Sequence, residues 1–100
     1  MNLRPTEGAR FLLERIDEEG GSATYRATIF VPDAEHSVTA RLDDDGTVEI
    51  PATGAPPALD DALAVQVRLL ARGAAKRAED GLVKWPARVL RWRGPGRGTV

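Results

Sequence analysis

Thr24-Tyr25-Arg26-Ala27-Thr28-Ile29-Phe30-Val31 is the most strand-like stretch of this chain, and the rest of the architecture is read outward from it. It is crowded with β-branched and aromatic residues. It also alternates, with Tyr25, Ala27, Ile29 and Val31 on one side and Thr24, Arg26, Thr28 and Phe30 on the other. A period of two predicts a strand with one face for a core and one for water. Pro32 has no N–H to give a ladder, and Asp33 follows it, so the strand ends in a turn.

Beyond that turn, His36-Ser37-Val38-Thr39-Ala40-Arg41-Leu42 alternates again and gathers Val38, Ala40 and Leu42 on one face. Asp43-Asp44-Asp45-Gly46 is a hairpin signal, because Asp-Gly tolerates the positive φ such turns need. Thr47-Val48-Glu49-Ile50 follows as a further strand. On the amino side, Phe11-Leu12-Leu13-Glu14-Arg15-Ile16 runs into Asp17-Glu18-Glu19-Gly20-Gly21. As one turn of helix it would put Phe11, Leu12 and Ile16 together, but its short length and the Gly-Gly turn favour a strand. The expectation is a four-stranded antiparallel meander over about 10–16, 23–31, 36–42 and 47–51.

Residues 51–57 form a Pro/Gly/Ala linker, after which the period changes to that of a helix over about 58–78. Leu59, Leu63, Val67, Leu70 and Ala74 fall on one face, widened by Ala62, Val65 and Leu69, with Asp61, Arg68, Arg72 and Lys76 opposite. Asp60 and Asp61 in the first turn and Lys76 and Arg77 in the last suit the helix dipole, and Gly81 provides a stop. Gly73 inside this helix costs up to ~1 kcal/mol relative to alanine unless its bare backbone is needed. A wide apolar stripe must be buried, and the meander offers the partner. An α+β fold results, with the helix packed on one sheet face. The expected domain spans 1–93, with 94–100 a flexible Gly/Pro/Arg tail.

Composition limits the functions open to the chain. At 100 residues there is room for one core. There is no cysteine, so thiolate chemistry and disulfides are excluded. The amino-terminal residues lack an apolar signal core, and no apolar run is long enough to span a bilayer, so a cytoplasmic protein without membrane contact is expected. Twelve of the fourteen basic residues are arginine, as GC-rich bacterial codon usage produces. Residues 1–50 carry five basic and eleven acidic side chains, while residues 51–100 carry nine basic and four acidic. That polarity suits a charged partner, or simply a basic helix and tail beside acidic turns.

Candidate chemistry is sparse. His36 lies beside Glu35 with Asp33 nearby, yet no nucleophile elbow or triad spacing accompanies it, so a small hydrolase around His36 is the remotest reading. Asp43, Asp44 and Asp45 lack the alternating spacing of a calcium loop and read as a solvated hairpin tip. Gly94-Pro95-Gly96-Arg97-Gly98 does not open a helix after a strand, so it is no phosphate cradle. No cofactor, metal site or enzymatic activity is expected.

The unusual segment is Leu82 to Arg93, with both tryptophans, four bases and no acid. As a helix from Pro86 it would align Trp85, Val89 and Trp92. As a strand it would set Arg88, Leu90 and Trp92 against Val89, Arg91 and Arg93. The sequence leaves both open. Lys84, Trp85, Arg88, Arg91, Trp92 and Arg93 form a candidate binding surface, since Trp and Arg dominate protein interfaces. The competing reading makes Trp85, Val89 and Leu90 a lid on the core while the arginines reach water. A second candidate surface is the open sheet face, with Arg26, Phe30 and Arg41. The functional expectation is a non-catalytic protein-interaction or accessory module, monomeric or weakly dimeric. The alternative is single-stranded nucleic-acid binding through either surface.

Overall fold

The computed structural model describes residues 7–93. The expected 94–100 tail lies outside that range. Four strands follow the alternating segments: β1 (Ala9–Glu19), β2 (Ser22–Val31), β3 (Ala34–Asp43) and the short β4 (Val48–Glu49). Two helices, α1 (Pro57–Arg72) and α2 (Ala74–Glu79), form one rod bent at Gly73, and β5 (Arg88–Arg93) closes the order. The strand alternative for residues 86–93 is the one realised.

Among the described residues the sheet runs β4-β3-β2-β1-β5, with every neighbouring pair antiparallel. The meander is thus as expected, but it gains a fifth strand that returns from the helix to lie outside β1. Gly20 and Gly21 join β1 to β2, with Gly20 at φ +60°, a value that favours glycine. The β1–β2 register shifts between Arg15 and Asp17, leaving Ile16 as the extra residue of a bulge, exposed to solvent.

The core lies between one sheet face and the bent helix. Phe11, Leu13, Tyr25, Ala27, Ile29, Ala40 and Leu42 from the sheet meet Leu63, Val67, Leu70 and Ala71 from α1. Burying a leucine such as Leu63 fully contributes about 2–3 kcal/mol. The stripe on α1 is wider than the surface it covers. Val65 and Leu69, on its margin, remain exposed.

Gly73, at the bend, leaves room for a neighbouring side chain. A Cβ on Gly73 would fall 2.5 Å from Nη1 of Arg77. The missing side chain lets the Arg77 guanidinium fold back, with Nη2 donating to the Leu70 carbonyl at 2.8 Å and Nε to the Lys84 carbonyl at 2.9 Å. This glycine serves close approach, at backbone angles (φ −82°, ψ −7°) open to any residue.

Candidate binding surface

The segment between α2 and β5 is held by side chains from three elements. Three successive carbonyls accept in turn: that of Lys84 from Arg77 Nε, that of Trp85 from Arg15 Nη1 at 2.6 Å, and that of Pro86 from the Tyr25 hydroxyl at 2.6 Å. Lys84 itself reaches back to Asp44, Nζ to Oδ2, at 2.7 Å. The Ala87 carbonyl then accepts the Arg15 backbone N–H at 3.0 Å and begins the β5 ladder. Each such bond contributes ~1 kcal/mol, and more where an arginine is the donor. Together they fix where β5 begins.

Burial shapes the electrostatics of this clamp. Desolvation pushes the Tyr25 hydroxyl up to about 12, against the downward pull of the Arg15 and Arg77 charges. It also lowers Arg77 from the usual arginine value. Neither shift creates a catalytic acid or base near neutral pH. They describe a phenol and a guanidinium used as hydrogen-bond donors.

The six residues of the first candidate surface are divided by the fold. Trp85 is fully buried, its ring tilted 59° from that of Tyr25 with centroids 6.4 Å apart. Among the described residues its Nε1 finds no hydrogen-bond acceptor, so the indole is held by shape. Lys84 is engaged by Asp44 and half-buried. Arg88, Arg91, Trp92 and Arg93 lie on exposed β5, with Trp92 52% exposed and Leu90 beside it on the same face.

The second surface is also rearranged. Register places Trp92, Arg10, Phe30 and Glu35 in one row on the helix-free face, and Leu90, Leu12, Thr28 and Ser37 in the next. Leu12, Thr28 and Phe30 are buried there although neither helix lies on that side. Arg26 and Arg41 are exposed on the same face, Arg41 4.0 Å from Asp43, and Phe30 sits two rows from Arg26. The three residues therefore share a face without forming one exposed cluster.

His36 is half-buried on the core side of β3, opposite Ile29, and Glu35 points to the other face by strand alternation. The three aspartates of the hairpin each have a donor within the fold. Asp43 accepts from the Ser22 hydroxyl, Asp44 from Lys84, and Asp45 from the backbone N–H of Thr47 at 2.8 Å. The bonds from Thr47 hold the Asp45 carboxyl below its ordinary value. Among the described residues no group of three His, Cys, Asp or Glu side chains could hold a metal ion. Among them, too, no helix is long and apolar enough to cross a membrane.

Two shallow depressions flank Arg91 between β5 and α1. One, of about 360 Å³, reaches Val65, Phe11 and Trp92; the other, of about 270 Å³, reaches Leu69, Val89 and Arg77. Gln66 and Arg91 border both. This margin is absent from the sequence reading, which assigned Val65 and Leu69 to the core stripe. Only the position of β5 shows that the sheet does not reach across them. No family model, curated protein or solved structure matches the chain.

Proposed function

We propose that this chain is a non-catalytic, cytoplasmic protein-interaction module that meets its partner through β5 and the adjoining margin of α1. The observation that carries the reading is the combination on one exposed strand of Leu90 and Trp92 with Arg88, Arg91 and Arg93. Large apolar and arginine side chains at one place are the composition of interface centres. The surroundings favour a protein over a single-stranded nucleic acid. Stacking on bases needs several accessible rings, and of the five aromatic residues Phe11, Tyr25, Phe30 and Trp85 are buried.

The test uses the full chain as bait in native lysate, beside a Trp92→Ala/Arg91→Ala double variant checked for an unchanged circular dichroism spectrum and melting point. A protein recovered by the first and lost by the second, which rebinds when both are purified, supports the reading. The reading fails if capture is indifferent to the two substitutions. It also fails if a labelled oligonucleotide binds the same strand at moderate salt more tightly than any captured protein.

A further inference from the structure

The ladder between β1 and β5 has a phase, and that phase determines what β5 presents outward. The bond from Arg15 N–H to the Ala87 carbonyl marks these two as a hydrogen-bonded pair. In an antiparallel ladder bonded and non-bonded pairs alternate. Val89 opposite Leu13 and Arg91 opposite Phe11 are therefore bonded pairs, whereas Arg88 opposite Glu14 and Leu90 opposite Leu12 are not. Arg88 and Leu90 turn their N–H and C=O groups away from β1. They face the side of β5 along which no strand lies among the described residues. The Leu90 carbonyl is met there by its neighbour's guanidinium, Arg91 Nη1, at 3.0 Å.

Charge adds a second constraint. Arg88, Arg91 and Arg93 take part in none of the four ion pairs among the described residues, and no acid follows Asp80 in the sequence. A second copy brought edge to edge would set these arginines against their own counterparts, and like charges across a ladder are destabilising. An acidic strand would be matched.

We infer that β5 takes up an extended acidic segment of another protein as a sixth strand, deepening the proposed interaction function and resting on it. The edge groups of Arg88 and Leu90 supply main-chain hydrogen bonds. Side chains of the added strand that point to the helix side lie next to Arg91 and Arg93, where acids are matched. Those on the other face lie beside Leu90 and Trp92, where apolar groups are matched, with Arg88 at the start of that row matched by one further acid. The recognised segment thus alternates acidic and apolar residues with a period of two.

The experiment selects a random octapeptide library displayed on phage against the full chain. The expected result is enrichment of peptides alternating Asp or Glu with apolar residues, binding of which shifts the amide resonances of residues 88–93. N-methylation of every second residue of the best synthetic peptide, in whichever phase faces β5, weakens it about tenfold or more through the lost main-chain bonds. Leu90→Pro does the same, since it removes an outward N–H and leaves the β1 ladder intact, while Leu90→Ala keeps the amide and most of the binding. No enrichment, enrichment of basic peptides, or affinity indifferent to both N-methylation phases and to Leu90→Pro overturns strand addition. If that happens while capture of a protein partner still depends on Trp92 and Arg91, the interaction reading stands and only its mode falls. If both are lost, both fall.

Discussion

Trp85 and Trp92 are seven residues apart in one basic segment, yet the fold puts them in opposite environments. Trp85 is fully buried against Tyr25 and its neighbouring carbonyls are captured by Arg15, Tyr25 and Arg77. Trp92 lies on the outer face of an edge strand, about half exposed. The odd spacing is what separates them, because across Pro86 the chain passes from a clamped loop into a strand whose even-numbered residues face away from the helix. Identical side chains in similar sequence surroundings thus serve two purposes. One closes the core, and the other contributes to a surface.

The contrast predicts its own largest effect. Trp85→Ala opens a cavity the size of an indole under the 81–87 loop and costs about 3–5 kcal/mol. Against a total stability of ~5–10 kcal/mol for a domain this small, that removes about half of the margin. Urea denaturation followed by circular dichroism checks it. A midpoint unchanged from the parent chain would mean that Trp85 is not a core residue.

How much of this was legible beforehand follows from which residues carried local signals. The alternation of residues 24–31 and 36–42, the Asp-Gly turn and the stripe on residues 58–78 each state their structure within a few neighbours. The sheet and its covering helix were therefore readable. Residues 86–93 were not, because Pro86 fits the first turn of a helix and the arginines interrupt either period. Their strand state comes from β1, whose outer edge was unpaired and whose Leu12 and Leu13 needed neighbours on both faces. The clamp by Arg15, Tyr25 and Arg77 left no local trace either, since its members lie 7 to 70 positions from the carbonyls they bind. One indirect sign was present. Tyr25 sits on the core side of its strand, and a buried phenol needs an acceptor.

That acceptor allows a sharper test of the clamp. Tyr25→Phe removes the donor to the Pro86 carbonyl and costs about 1–3 kcal/mol near pH 7. The alkaline limb carries the same information. Because the folded hydroxyl is pushed up to about 12 while an unfolded tyrosine titrates near 10, its contribution is complete below about pH 10 and is lost as the pH rises through 12. Stability of the parent chain therefore falls over that window by on the order of 2 kcal/mol more than that of the variant. The chain has one tyrosine, so the difference between the two curves isolates it. Parallel curves from pH 9 to 12 would mean that the phenol is not desolvated.

Gly73 and Arg77 allow a smaller, signed test of the clamp's helical side. Gly73→Ala improves helix propensity by up to ~1 kcal/mol but drives the guanidinium from the Leu70 and Lys84 carbonyls, for a net loss of about 1 kcal/mol. In an Arg77→Met background nothing remains to be displaced, and the same substitution becomes stabilising. A double-mutant cycle by thermal melts reads the reversal, and additive effects would refute the coupling.

The smallest effect on stability belongs to Trp92. Its indole is half in water, so Trp92→Ala forfeits under about 1.5 kcal/mol of burial, well short of the loss at position 85. The emission of single-tryptophan variants separates the two sites directly. With Trp92→Phe, the remaining Trp85 emits at short wavelength and resists acrylamide, whereas with Trp85→Phe the remaining Trp92 is readily quenched. Should Trp92→Ala prove as destabilising as Trp85→Ala, β5 would be a core strand whose outer face is occupied in the folded chain. The surface argument built on Leu90, Trp92 and the three arginines would then lose its footing, because a side chain required for folding is not available to a partner.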